Sequence, residues 1–215
     1  MSSESLSPSR LANYATCPRL YDYRYVQDVN TPDRTELYLN QGTIYHETIE
    51  GVCDATDRDD DPETIHNRAM QVFDAKWDEH STPDDYESAA HQEYQRAENR
   101  AAIASFFDLD GGDGIEHARY SVATECWVEC EVDGRELHGK ADNVVRTDDG
   151  LHIFDYKRNT DGVLSSGTAE YLGDHFDGEA HEPKRVRNAF QTATYVEGVK
   201  NEPFYEDGME VRFSF

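Results

Sequence analysis

The chain changes its rhythm once. Over the first half apolar positions recur at helical spacing; after Gly111-Gly112-Asp113-Gly114 they alternate as in strands. Ser7-Pro8 reads as a helix start, with serine at the N-cap and proline in the first turn, and predicts a helix through Leu11, Tyr14 and Ala15. A Tyr-rich stretch from Leu20 to Val26 follows. A polar turn near Asn30 to Arg34, containing Pro32, then leads to a segment beginning around Gln41-Gly42-Thr43. In that segment Tyr45, Ile49, Val52 and Cys53 fall at i, i+4, i+7 and i+8, one stripe of a helix. Asp57 to Pro62 is an acidic loop, and two helices charged on one side are expected at about 63–80 and 85–108.

In the second half, Asp133-Gly134 and Asp149-Gly150 are hairpin signals. They divide the alternating region into runs of about 118–132, 135–147 and 151–157, an antiparallel meander. A long polar loop at 158–183, a helix from Lys184 to Gly198 and a strand from Met209 to Phe215 complete the reading. The layout predicts an α/β (α+β) fold forming one compact unit, with an N-terminal helical region at 1–110 and a core at 111–215.

Composition adds a second constraint. The 215 residues carry 45 Asp+Glu against 20 Lys+Arg, a formal net charge of −25, and the basic residues divide into 15 Arg and 5 Lys. Acid-rich, lysine-poor composition suits a protein kept soluble in concentrated salt, where repulsion is screened within a few ångströms. On its face the charge argues against a nucleic-acid partner. No run approaches the apolar length of a membrane span, and Met1 to Ser9 lacks the basic and apolar regions of a signal peptide. With 13 Tyr, 9 Phe and 2 Trp the chain has the bulk to fold. Cys17, Cys53, Cys126 and Cys130 include no Cys-x-x-Cys pair, so zinc-ribbon and thioredoxin-like motifs have no support. Without a secretion signal, reduced thiols in a cytoplasm are expected.

Several motifs fail on inspection. Asp57, Asp59 and Asp61 mimic the start of a calcium loop, but Pro62 and Arg68 stand where that loop needs Gly and Glu. His46-Glu47-Thr48-Ile49-Glu50 has Glu50 where a zinc-protease helix has its second histidine. Neither a Gly-x-Ser-x-Gly elbow nor a phosphate-binding Gly-rich loop is present. The meander survives. Asp142 lies in its second strand and Asp155 in its third, and across a hairpin the two carboxylates approach each other. Two such groups repel unless a cation sits between them, and hard oxygen ligands select Mg²⁺ or Mn²⁺. Lys157, two residues after Asp155, projects from the same face and is placed to orient water and meet negative charge on a phosphate. For Asp-x-Lys alone a surface ion pair is the commoner meaning; the apolar Ile153-Phe154 before it points inward instead.

Taken in order, Gly139-x-x-Asp142, Asp155-Tyr156-Lys157 and Gln191-Thr192-Ala193-Thr194-Tyr195 resemble the RecB-type branch of the PD-(D/E)XK nuclease superfamily. Upstream, Ser7-Pro8-Ser9-Arg10-Leu11, Tyr14 and Cys17-Pro18 resemble the start of AddB-like and CRISPR-associated exonucleases of that branch. Gly42-Thr43 with His46-Glu47 resembles its histidine motif. The resemblance implies a restriction-endonuclease-like core, a central mixed sheet flanked by helices. It implies that His46, Asp142, Asp155 and the Tyr156 carbonyl bind Mg or Mn, that Lys157 aligns or activates water, and that Gln191 and Tyr195 complete the site. Glu50, one turn after His46, has a further ligand or a group supporting the ligands as one alternative, and a solvated helix acid as the favoured one.

Lys184 and Arg187 share the helix face of Gln191 and Tyr195, and with Arg185 and Arg158 form a basic cluster suited to a DNA backbone, or else to internal ion pairs. Tyr21, Tyr23 and Tyr25 have packing or base stacking as their alternatives. Many members of the branch hold an iron–sulfur cluster on one N-terminal and three C-terminal cysteines. Only Cys17 matches here, so no cluster is expected. The expected activity is metal-dependent DNA hydrolysis on single strands or ends, in repair or CRISPR adaptation, with helicase or adaptation proteins as partners and no membrane. The alternatives are a non-catalytic nuclease-fold subunit that binds DNA or a helicase, and, remotely, an acidic interaction protein.

Overall fold

The computed structural model describes residues 6–29, 37–157 and 169–215, and these residues fall into two compact units. The first unit is drawn from residues 1–32, 126–141 and 148–215, the second from 33–125 and 142–147.

The second unit is built on helices. Helix α3 (Leu37–Asp54) packs against α4 (Pro62–His80), and α4 packs against α5 (Ala89–Phe106) and the short α6 (Gly114–Tyr120). Asp61 and Ser88 cap α4 and α5, accepting from Thr64 N at 3.0 Å and His91 N at 3.2 Å. On α4 the buried side chains are Ile65, Ala69, Phe73 and Trp77, each one turn after the last. They join Ile44, Ile49 and Val52 of α3 and Ile103 and Phe107 around α5 to make this unit's core. The expected helix near Gln41 starts earlier, at Leu37: Gly42 is accommodated inside it. The run expected to be extended from Ala118 is helical to Tyr120, and its strand begins at Ser121.

Four strands form one mixed sheet in the order β1 (Ser121–Val132), β2 (Arg135–Arg146), β3 (Gly150–Phe154), β4 (Glu210–Ser214). Asp133 and Gly134 both have positive φ, 51° and 72°, the backbone a tight two-residue hairpin turn requires. Strand β4 runs parallel to β3, with Ile153 opposite Phe213 and Phe154 opposite Ser214.

In the first unit α1 (Pro8–Thr16) begins at Ser7, whose Oγ accepts from Arg10 N at 3.3 Å. Then come α2 (Pro18–Tyr21) and a π-helical turn, Asp22–Val26. Leu6 pairs in parallel with Leu137 of β2. Helix α7 (Ala169–Phe176) occupies part of what the polarity of 158–183 marks as loop. Helix α8 (Pro183–Gly198) packs against α1, and its Gly198 lies against Val128 of β1, where a Cβ would come within 2.8 Å of the valine's own. The absent side chain is what lets this helix approach the strand. Among the described residues no helix is long and apolar enough to cross a membrane.

Candidate active site

Strand β3 delivers Asp155 into the first unit. Its neighbours Leu151 and Ile153 are buried, and the strand pairing is extended by Asp155 N donating to Ser214 O at 3.0 Å. The Asp155 side chain is itself buried, at 3% exposure, so its two oxygens must be satisfied by protein groups or a bound cation. Gln191 of α8 donates through Nε2 to Asp155 Oδ1 at 2.7 Å, and Lys157 Nζ ion-pairs with Oδ2. Lys157 is the exposed member of the pair, its ammonium 5.6 Å from the centre of the Phe215 ring. A carboxylate held on one side by an amide and on the other by an ammonium is fixed in orientation.

Gln191 is in turn held by Tyr195, one helical turn on, with Nε2 to the phenol oxygen at 3.3 Å. The Tyr195 ring lies over Gly139: a methyl group added there would overlap ring atoms of the tyrosine, one of them at 3.0 Å. The glycine that opens Gly-x-x-Asp thus makes room for the tyrosine that closes Gln-x-x-x-Tyr. Tyr156 is buried and its ring lies parallel to that of Phe154, 6.1 Å away.

The second unit holds the remaining motif residues. His46 of α3 and Asp142 of β2 face each other, Nδ1 to Oδ2 at 3.1 Å. Neighbouring ligands of an octahedral ion bound at about 2.1 Å stand about 3 Å apart. The imidazole and carboxylate therefore already have the spacing of two ligands on one cation, and the donor types suit a divalent ion. Glu50 is half-buried on the same helix.

Sequence spacing gives no hint of a second grouping in this unit, on facing helices. Glu47, Glu79 and His80 bring one ligand-type atom each within 4.8 Å of one another. Lys76 already supplies a cation there, its Nζ 2.8 Å from Glu47 Oε2 and 3.0 Å from Glu79 Oε2. Burial works to raise the Glu47 pKa, but hydrogen bonds from Lys76 and His80 outweigh it and hold the carboxyl below its ordinary range. The same bonds to Glu47 and Glu79 push Lys76 up to about 12.

Of the basic cluster, Arg185 turns back on Glu182, Nε to Oε2 at 3.6 Å, while Lys184 and Arg187 are exposed on α8. Arg158 lies outside the described residues. Tyr21 and Tyr25 pack on each other, ring centres 5.0 Å apart, and Tyr23 is partly exposed beside Arg19. Cys53 and Cys126 are buried thiols, pushed up to about 12 and about 11, first by desolvation and then by nearby carboxylates.

No curated protein gives a significant match to the chain. A family model, that of the PD-(D/E)XK nuclease superfamily, matches residues 5–212, nearly the whole length of the chain. The chain belongs to the PD-(D/E)XK nuclease superfamily.

Proposed function

We propose that this protein is a Mg- or Mn-dependent deoxyribonuclease of the RecB-like branch, acting on single strands or DNA ends, with residues 111–215 as its nuclease core. The observation that carries the reading is the buried Asp155, gripped by Gln191 and Lys157. A catalytic lysine must be both oriented and accessible, and Lys157 meets both conditions: it is exposed and its ammonium is directed onto the buried carboxylate.

Asp155, Asp142, His46 and the Tyr156 carbonyl are the groups that would hold the ion. When bound, the ion supplies Lewis-acid charge that favours attack on phosphorus and departure of the leaving oxygen. The chain's own groups do the rest. Lys157 Nζ orients the attacking water by hydrogen bonding and offers positive charge to the phosphate. Gln191 fixes the rotamer of Asp155, and Tyr195 fixes Gln191, so the carboxylate does not swing as Lys157 turns toward substrate. The surrounding acids form a halophilic solvation coat, so phosphate attraction is local and falls with salt. Repair or CRISPR adaptation, alongside a helicase or adaptation protein, is the setting such chemistry serves.

The test is cleavage of labelled single- and double-stranded DNA by the purified chain in molar KCl with Mg²⁺, Mn²⁺ or EDTA. Wild type, Lys157→Ala and Asp155→Asn run together. Cleavage that needs metal and disappears in both variants is expected. Absence of cleavage by wild type under every metal condition assigns the fold to a DNA-binding or helicase-partner subunit instead.

A further inference from the structure

In the first unit, α1, the π-helical turn and the start of α8 wall a cleft of about 310 Å³. Its polar lining comes from Ser9, Asn13, Thr16, Arg24, Tyr25 and Arg187, with no carboxylate among the lining residues.

Charge sets this cleft apart from the rest of the molecule. The chain carries 45 acids to 20 bases, yet Pro8–Val26 contains Arg10, Arg19 and Arg24 against the single acid Asp22. The first two turns of α8, Pro183–Phe190, contain Lys184, Arg185 and Arg187 and no acid. Asp22 accepts from Gln27 rather than from an arginine. Among the described residues the side chains of Arg24 and Arg187 enter no ion pair or hydrogen bond. In so acidic a chain, two exposed guanidinium groups on one cleft with no partner among the described residues mark a site kept for an external anion.

The floor is rigid. Tyr25 is held by Asn13, whose Nδ2 donates to the phenol oxygen at 3.0 Å, and by the Arg10 guanidinium, 4.9 Å from its ring centre. Its own hydroxyl proton stays free to donate, alongside those of Ser9 and Thr16. A set of fork-shaped cations and hydroxyl donors without acceptor carboxylates fits a tetrahedral phosphoryl group.

Resting on the nuclease reading, we propose that this cleft binds a phosphate of the nucleic-acid strand through Arg24 and Arg187, anchoring the strand by a contact separate from the metal ligands. Either a strand end or an internal phosphodiester presents this chemistry.

The test is binding in EDTA, where no cleavage occurs, followed by fluorescence anisotropy of labelled single-stranded oligonucleotides at several KCl concentrations. Wild type is compared with Arg24→Gln, Arg187→Gln, the double variant and Arg96→Gln, a control arginine in the second unit paired with Asp74. The double variant is expected to bind at least about fivefold more weakly. Losing the one phosphate neutralised in the cleft should flatten its salt slope by about 0.7, while Arg96→Gln leaves both unchanged. A loss confined to 5′- or 3′-phosphorylated linear strands identifies an end phosphate; an equal loss on circular strands identifies an internal one. Double-variant affinity within twofold of wild type on every probe overturns the proposal. Arginine-dependent binding without cleavage in Mg²⁺ or Mn²⁺ would keep the cleft and discard the nuclease reading, so the two fail separately.

Discussion

Gly139→Ala puts the coupling between the two motifs to a direct test. The new methyl overlaps the Tyr195 ring, which is buried and shares a hydrogen bond with Gln191. Either the ring moves or β2 does, and overpacking of this kind costs about 1–3 kcal/mol. A chain of this size loses about 2–4 °C per kcal/mol, so a midpoint shift of about 2–12 °C is expected. If the ring moves, Gln191 loses its support and Asp155 its fixed orientation, so metal-dependent cleavage should fall by about tenfold or more, beyond what unfolding accounts for. Thermal melts by circular dichroism and cleavage rates well below the midpoint measure the two effects. Tyr195→Ala should relieve the clash, so Gly139→Ala should cost much less stability in that background than in wild type. Simple additivity of the two substitutions, or a Gly139→Ala protein with wild-type stability, refutes the packing argument.

Other consequences can be measured as readily. Gln191→Leu keeps the volume but removes a hydrogen bond to a buried carboxylate, and should destabilise the chain by about 1.5–3 kcal/mol in chemical denaturation; a change within error would mean the bond contributes nothing. Desolvation, then the Arg212 charge, hold His152 below its ordinary pKa, so the unfolded chain binds the proton more readily. That contribution to stability is complete above about pH 6.5 and declines as the pH falls toward the depressed folded value. His152→Gln should flatten the stability–pH curve between about pH 7 and 5, and an unchanged slope would contradict the shift. Alkylation at pH 8 under native conditions should modify Cys17 first and spare Cys53 and Cys126, whose thiols stay protonated; mass spectrometry showing all labelled at one rate would refute this.

What was legible in the sequence was local. Ser7 at its cap, the Asp133-Gly134 turn and the stripe on α4 follow from chemistry within a few residues, and each element lies where that chemistry puts it. Helices α6 and α7 were not legible: at seven and eight residues, neither is long enough to develop a periodic signal. Within the site, alternation predicts Asp155 and Lys157 on one face; strand β3 ends at Phe154, and the two side chains still meet just beyond it. Gln191 reaching Asp155 depends on how α8 lies on the sheet, which the small residues Gly139 and Gly198 set by what they leave out. The Glu47–Lys76–His80 grouping was invisible because Glu47 sits on α3, about thirty residues before Lys76 and His80 on α4.

The way the chain divides between its units bears on the order of synthesis. Almost all of the second unit is one stretch, 33–125, whereas the first is assembled from three stretches and needs residues 148–215. A ribosome therefore releases the material for the helical unit early, while the Asp155 backbone waits for Ser214 to be made before its strand bond can close. Long-range closure of that kind is slow. The nascent protein passes through an interval in which the stretch that makes most of the helical unit is complete while the surroundings of Asp155 are still unbuilt.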